Sequence, residues 1–331
     1  MCIIVKAQEA EATESEENII MKLMGYKREN GRYGIRNHLL IIPASVCSSE
    51  TAVNISKLVD GAIAIPHQHG CCEIGDDFDT TKRTLVGFGK NPNVGAALVV
   101  GLGCEGIQAK EIADEIKTTG KPVEYIVIQE EGGTAKTVSK GVEIAGKMAR
   151  EISKQNKVEF DISEIILGLE CGGSDPTSGL ASNPSIGVAS DMLVSMGGSS
   201  ILSETTEVIG AEHLLYPRFE DENEGKKFLE MVKRVENRSI AAGHDLREGQ
   251  PTPGNKAGGL TTIEEKSLGC MHKAGHSPFK GTLEYAEELP TNKKGLYFMD
   301  TPGQDIDSIT GMVAGGAQVI VFSTGRGTPT G

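Results

Sequence analysis

The sequence predicts an α/β protein of two Rossmann-like domains, each built on a mostly parallel sheet, with the ligand site at the carboxyl ends of the strands. Three observations carry this. Short apolar runs alternate with longer amphipathic segments along the chain, the order that builds βαβ units. The 331 residues exceed what one average core organises. Residues of unusual chemistry fall just after the apolar runs, where an open parallel sheet keeps its ligand crevice.

The elements follow in order. Residues 1–22 hold the acidic stretch EAEATESEE and are expected to form a disordered tail. In the first domain, 23–157, strands are expected at 38–44 (HLLIIPA), 62–65 (AIAI), 96–102 (AALVVGL) and 123–128 (VEYIVI). Ser48 and Ser49 can cap a helix running to residue 58, 106–118 is helically periodic, and 134–154 is a long helix ending in the polar run KQNK. In the second domain, 158–331, strands are expected at 165–169, 199–202, 295–299 and 318–322. Helices are expected at 184–195, 221–242 and 306–314, with TPGNKAGG as a loop. The chain stops at Gly331 inside a motif, so this domain is expected to be truncated at its C-terminus.

Composition excludes several functions. A formal charge of −13, with 33 Lys and Arg spread through the sequence, argues against nucleic acid and an anionic membrane surface. No apolar run reaches the roughly 20 residues a spanning helix needs. The acidic start lacks the apolar core of a signal peptide, which points to the cytoplasm. Seven cysteines, an odd number, argue against a disulfide framework and for metal ligation, reactivity or simple burial. Gly at 42 residues with aromatics at 4% implies loops whose backbone approaches a ligand closely.

Chemistry concentrates in short motifs. HQHGCC at 67–72 packs two imidazoles and two thiols around Gly70, a spacing unlike closed structural zinc sites and better suited to an open catalytic one. GLGCEG and GLECGGSD each run from an apolar strand into Gly, an acid and a Cys. His67, Cys71, Cys104 and Cys171 are therefore the candidate metal ligands, and Glu105 or Glu170 a candidate base. Gly172 and Gly173, with Ser174 and Asp175 before a helix, form a candidate anion nest. Lys256, Lys266 and the Gly-flanked Arg326 supply positive charge for a substrate carboxylate. No phosphate loop or dinucleotide fingerprint is present.

These segments resemble the altronate and galactarate dehydratase family, which also includes sulfolactate sulfo-lyase. The resemblance runs from Gly25 through GYKRENGRYGIRNHLLIIP, HQHGC, NPNVGAALVVGLGCE, ECGGSDPTSGLASNPSIG, GGSSILSETTEVIGAEHLL, PTPGNKAGGLTTIEEKSLGCMHKAG and the final stretch from Met299. The loop reads HQHGCC where the resemblance leads one to expect HxxGCG. The resemblance implies a metal-dependent lyase acting on a sugar acid, with iron(II), another divalent metal or an iron–sulfur cluster as cofactor. It also implies a separate small subunit carrying a SAF-like domain, within an oligomer. On this reading the metal holds the carboxylate and α-hydroxyl, a base removes the C2 proton, and the β-hydroxyl leaves as water. Glu105, Glu204 and His213 are the acid or base candidates. Release of sulfite from a sulfonated hydroxy acid, or a noncatalytic binding or assembly role, are the alternatives.

Overall fold

The computed structural model describes residues 22–330. Apart from Lys22, the expected tail over 1–22 lies outside the described residues. The fold is α/β, organised around two parallel sheets.

Strand β1 (Lys22–Lys27) pairs antiparallel with the short β2 (Tyr33–Gly34). Then β3 (His38–Pro43), β4 (Ala62–Ala64), β5 (Val94–Gly101) and β6 (Val123–Val127) form an all-parallel sheet of order β4-β3-β5-β6. Its central strands are continuous apolar runs because helices cover both faces. Leu40, Ile42, Ala97 and Val99 meet helices Asp76–Lys90 and Ala109–Lys117 on one side. Leu39, Ile41, Ala96 and Leu98 meet helices Val46–Lys57 and Thr134–Ile152 on the other.

The chain then returns through β7 (Val158–Asp161), which pairs antiparallel with β1. The second parallel sheet contains β8 (Ile166–Gly172), β9 (Ser199–Leu202), β10 (Phe279–Leu283), β11 (Leu296–Met299) and β12 (Val319–Thr324), in the order β10-β11-β9-β8-β12. Leu167, Leu169, Leu202 and Phe298 face helices Asn183–Ser195 and Glu222–Ala241. Ile166, Ile201, Tyr297 and Met299 face the opposite side, where Met312 of helix Asp305–Ala314 packs. Because β12 lies on the far side of β8 from β9, the connections leave β8 and β11 in opposite senses. That reversal opens a crevice beyond the strand ends.

Several elements escaped the sequence reading, among them helix Ile263–Cys270 and strand β7. Helix Asp76–Lys90 carries three Thr and two Gly, all poor helix formers, which masks its apolar face. Its Gly87 is needed: a Cβ there would stand 2.4 Å from the Ala314 carbonyl oxygen of the packed helix. Strand β10 is interrupted by Gly281, and most of β1 pairs at long range with β7. The segment read as a loop at TPGNKAGG contains a short helix, Pro253–Ala257, capped by Thr252 with Pro at its first position.

The two sheets are joined by buried amides. Asn91 Nδ2 donates to the carbonyls of Val313 (2.8 Å) and Ala317 (2.9 Å). Gln318 Nε2 donates to Tyr33 O at 3.0 Å and Glu164 O at 2.9 Å. Asn91→Ala leaves two carbonyls without their donor, each a loss of about 1–3 kcal/mol if water cannot enter. A stability loss of about 2–4 kcal/mol is expected in urea, with an unchanged m value; no shift in midpoint would show that the amide is not a tie between the halves.

Candidate functional site

Beyond the carboxyl ends of β8, β9 and β11, four carboxyl groups, two lysines and two thiols meet in the interior. Glu170 and Cys171 end β8, Glu204 follows β9, and Asp305 opens the helix after β11. Glu207 lies one turn past Glu204. Lys266, Cys270 and Lys273 come from the long excursion between β9 and β10, on helix Ile263–Cys270 and the turn after it.

Lys273 sits at the centre. Its side chain is 1% exposed, and its Nζ donates to Glu204 Oε2 at 3.0 Å and Glu207 Oε2 at 2.9 Å. Lys266 Nζ reaches the other Glu207 oxygen at 3.2 Å and donates to Gln250 Oε1 at 3.0 Å. The Cys171 thiol donates to Glu207 Oε2 at 3.3 Å, and Cys270 Sγ lies 3.6 Å from Cys171 Sγ. Ser308 donates to Glu170 Oε2 at 2.6 Å, whereas Glu170 Oε1 is buried without a hydrogen-bond partner.

The shared cations divide the acids into two kinds. Burial, then the charge of Glu207, lifts the Glu204 carboxyl well above the usual range against the pull of Lys273. Burial opposes the Glu207 charge too, but Lys273 and then Lys266 outweigh it and hold that carboxyl well below its ordinary value. Burial also raises Glu170, with Lys273 opposing, and raises Asp305, helped by Glu207. Burial disfavours the Lys273 charge, yet Cys171, Glu207 and Glu204 hold its proton firmly. The result is a Glu207 that gives up its proton far more readily than the neighbouring Glu204. Glu204 is held in this position by a backbone at φ 67°, rare for a residue with a side chain, and by its amide donating to Thr301 Oγ1 at 2.7 Å.

A cavity of about 380 Å³ opens onto this cluster, lined among others by Ser174, Glu204, Glu207, Lys266, Asp305 and Arg326. A Cβ at Gly172 would stand 2.3 Å from an Asp305 carboxylate oxygen, so any larger residue there would push that carboxylate aside. Of the residues predicted from sequence, Cys171, Ser174, Glu204, Lys266 and Arg326 line this cavity. Asp175 lies beside it, its carboxylate engaged by Thr177 and Ser178, and Lys256 is exposed outside it. His213 is exposed on helix Glu212–Leu215. Glu105 turns back onto its own loop, accepting from the Leu102 amide at 3.0 Å and the Gly103 amide at 2.6 Å.

The four expected metal ligands do not converge. Among the described residues, the only sets of three His, Cys, Asp or Glu with ligand atoms within 4.8 Å of one another are Cys171–Glu207–Cys270 and Glu170–Glu204–Asp305. Both ring nitrogens of His67 are engaged, Nε2 with Pro43 O at 2.8 Å and Nδ1 with the His69 amide at 3.1 Å. Glu207, Cys270, Lys273 and Asp305 were not singled out as site residues. Their signal was present: Glu204 and Glu207 stand at i, i+3, and Lys266, Cys270 and Lys273 at i, i+4, i+7, spacings that gather one helical face.

Lys273→Met should destabilise the protein by about 3–5 kcal/mol, because it leaves buried carboxylates uncompensated. Protonating those carboxyls removes the need for a counter-charge, so the deficit should shrink as pH falls and grow as it rises. Denaturant titrations at several pH values measure this, and a deficit independent of pH would refute the charge-compensation account.

Comparison with known proteins agrees with this architecture. Residues 162–331 match the D-galactarate/altronate dehydratase C-terminal family, and residues 25–153 match the D-galactarate dehydratase/altronate hydrolase second-domain family. The altronate dehydratase of Bacillus subtilis (strain 168) is 36% identical over 328 residues, covering 96% of this chain and 64% of that protein. The (2R)-sulfolactate sulfo-lyase subunit beta of Chromohalobacter salexigens is 38% identical over 312 residues, covering 93% of this chain and 78% of that one. The galactarate dehydratase (L-threo-forming) of Escherichia coli (strain K12) is 38% identical over 258 residues, covering 75% and 48%. The chain thus spans a little under two thirds of the altronate dehydratase, and from both family matches and these relatives it belongs to the altronate/galactarate dehydratase family.

Proposed function

We propose that the second-half cluster is the catalytic centre of a lyase that removes the C2 proton of a small hydroxylated carboxylic acid and expels its β substituent. The observation that carries this reading is Glu204, a buried carboxyl that lines a cavity beside cationic side chains and whose proton affinity burial raises well above the ordinary range. Lys266 and Arg326, with Ser174, receive the substrate carboxylate. One carboxyl of the cluster accepts the C2 proton, and Glu204 returns a proton to the departing β-hydroxyl, so that water leaves and an enol remains to become the keto acid. Lys273, behind them, keeps Glu207 ionised and so tunes Glu204.

A divalent metal fits this site. Four carboxyl groups face two lysines, and Glu170 Oε1 is a buried oxygen without a partner. Glu170 and Asp305, beside Glu204, would hold the ion, with iron(II) the expected one. Once bound, it would act as a Lewis acid toward the substrate carboxylate and α-hydroxyl.

Altronate or galactarate is the proposed substrate class, supported by the names of the dehydratases this chain resembles. Sulfolactate is the second reading, favoured by the 78% coverage of the sulfo-lyase subunit; sulfite would then leave with the C–S electron pair in place of water. That relative's designation as subunit beta supports a separate small partner subunit carrying the SAF-like domain. The division at 23–157 and 158–331, the Rossmann-like reading of each unit and a cytoplasmic location belong to the same proposal. Among the described residues no helix is long and apolar enough to cross a membrane.

Glu204→Gln tests the chemistry. The carboxamide copies the protonated shape, so the fold should hold while turnover falls by about 10²-fold or more. A carboxyl whose folded pKa is raised stabilises fully below its unfolded pKa of about 4.3, and this is lost as pH rises toward the folded value. The wild type should therefore lose stability as pH rises above the unfolded value in a way the variant does not. Keto acid and sulfite release are measured with altronate, galactarate and sulfolactate; full turnover by the variant would reject Glu204 as the proton carrier.

A further inference from the structure

Two buried thiols at the lyase centre have no part in the proton transfers proposed there. Cys171 stands near the end of β8, and Cys270 closes helix Ile263–Cys270, 99 positions further along the chain. Both are free, and each is 1% exposed. Their sulfurs lie 3.6 Å apart, which leaves no room for an atom between them.

The fold brings the pair together at a backbone contact. A Cβ on Gly179 would stand 3.1 Å from the Cα of Gly269, the residue before Cys270, so the two backbones meet with no side chain between them. Asn183 Nδ2 donates to the Gly269 carbonyl at 3.1 Å and reaches Cys171 Sγ at 4.0 Å, and so holds the end of the helix against β8. The sulfurs are enclosed without being sealed. Cys171 lines the cavity of about 380 Å³ at the lyase centre, and Cys270 lines a neighbouring one of about 270 Å³; Ser174 and Lys266 border both. A molecule as small as hydrogen peroxide has a way in.

We propose that Cys171 and Cys270 form an oxidation site: a hydroperoxide converts the pair to a disulfide that ties the β9–β10 excursion to β8 and turns the lyase centre off. Cys171 Sγ attacks one oxygen of hydrogen peroxide, the O–O bond breaks, and the thiol proton leaves with the other oxygen as water. Cys270 Sγ then attacks the Cys171 sulfur, the S–O bond breaks, and the Cys270 proton leaves with the hydroxide as a second water. The two thiols give up two electrons and one peroxide takes them. The second step needs little rearrangement, because the resolving thiol is already in contact. Bonding draws the sulfurs from 3.6 Å to about 2.05 Å, and the movement falls on the helix that carries Lys266 and the turn that carries Lys273. Both lysines pair with Glu207, at 3.2 Å and 2.9 Å, and Cys171 loses the proton it donates to the same carboxylate. A displacement of about 1 Å at a reacting centre costs orders of magnitude in rate. Control of turnover rests on the lyase reading; the bond itself does not.

The full chain, reduced and freed of reductant, is treated with hydrogen peroxide in the folded state, then alkylated in denaturant and proteolysed. Mass spectrometry should find the Cys171 and Cys270 peptides joined, two hydrogens lighter than their sum, in most of the wild type, and dithiothreitol should separate them. Turnover of whichever acid the protein accepts among altronate, galactarate and sulfolactate should fall about tenfold or more as the joined fraction grows, and return with the reductant. Cys270→Ser, with its fold checked by circular dichroism, should give no joined peptide and lose no turnover relative to its own untreated value, which separates this bond from oxidation of a bound metal. The proposal is overturned by an absence of joined peptide in the wild type, by Cys171 joined to another cysteine instead, by an equal yield when the chain is oxidised in urea, or by full turnover in the joined protein. A reduced protein that turns over none of the three acids would sink the lyase reading, and the peptide map would still decide the bond.

Discussion

The arrangement of the second half depends on one buried cation. Lys273, with its side chain 1% exposed, holds Glu204 and Glu207 together where two carboxylates alone could not both remain charged. Lys273 together with Lys266 lowers the proton affinity of Glu207, while burial and the Glu207 charge raise that of Glu204. Everything placed around that pair follows from it: Cys171 can donate to an ionised Glu207, and Glu170 is left to rely on serine hydroxyls instead of a cation. An interior with this much fixed charge gains little stability from its ion pairs. Its value is chemical, since the proton affinities of two neighbouring carboxyls are pushed in opposite directions.

The sheets supply rigidity for that arrangement. Each puts continuous apolar strands between two helical layers, so the strand ends are fixed and the chemistry sits on loops leaving them. The amides of Asn91 and Gln318 then tie the layers of one half to the backbone of the other. Function is thereby separated from packing: the core residues lie along the strands, and the titratable ones stand just beyond.

Much of the fold was legible because buried parallel strands read as unbroken apolar runs; 38–44 and 199–202 fall within a residue of β3 and β9. Helix Asp76–Lys90 was not, since its small residues serve a close approach to another helix, a purpose visible only once that helix is in place. Site residues divide in the same way. Glu204 and Arg326 could be found as charged residues placed after a strand or among glycines. Lys273 could not, because a lysine that neutralises acids 66 and 69 positions away looks like any solvated lysine in a helix. GLGCEG and GLECGGSD read as equivalents, yet Glu105 follows a glycine turn and folds back on its loop, whereas Glu170 lies within β8 and faces the cluster.

The separation between Glu204 and Lys273 has a consequence for how the chain reaches this state. The excursion from β9 to β10 must dock before the acids at the end of β9 can leave water, since burying them without Lys273 carries a large desolvation penalty. Closing so long a loop is entropically costly but grows only slowly with length. Sheet completion and site formation are thus coupled events: β10 and β11 join the sheet from the far end of the same excursion that delivers the lysine. A folding intermediate with the β8–β9 pair formed and the excursion loose would expose Glu204 to solvent, and its proton affinity would record the moment at which docking occurs.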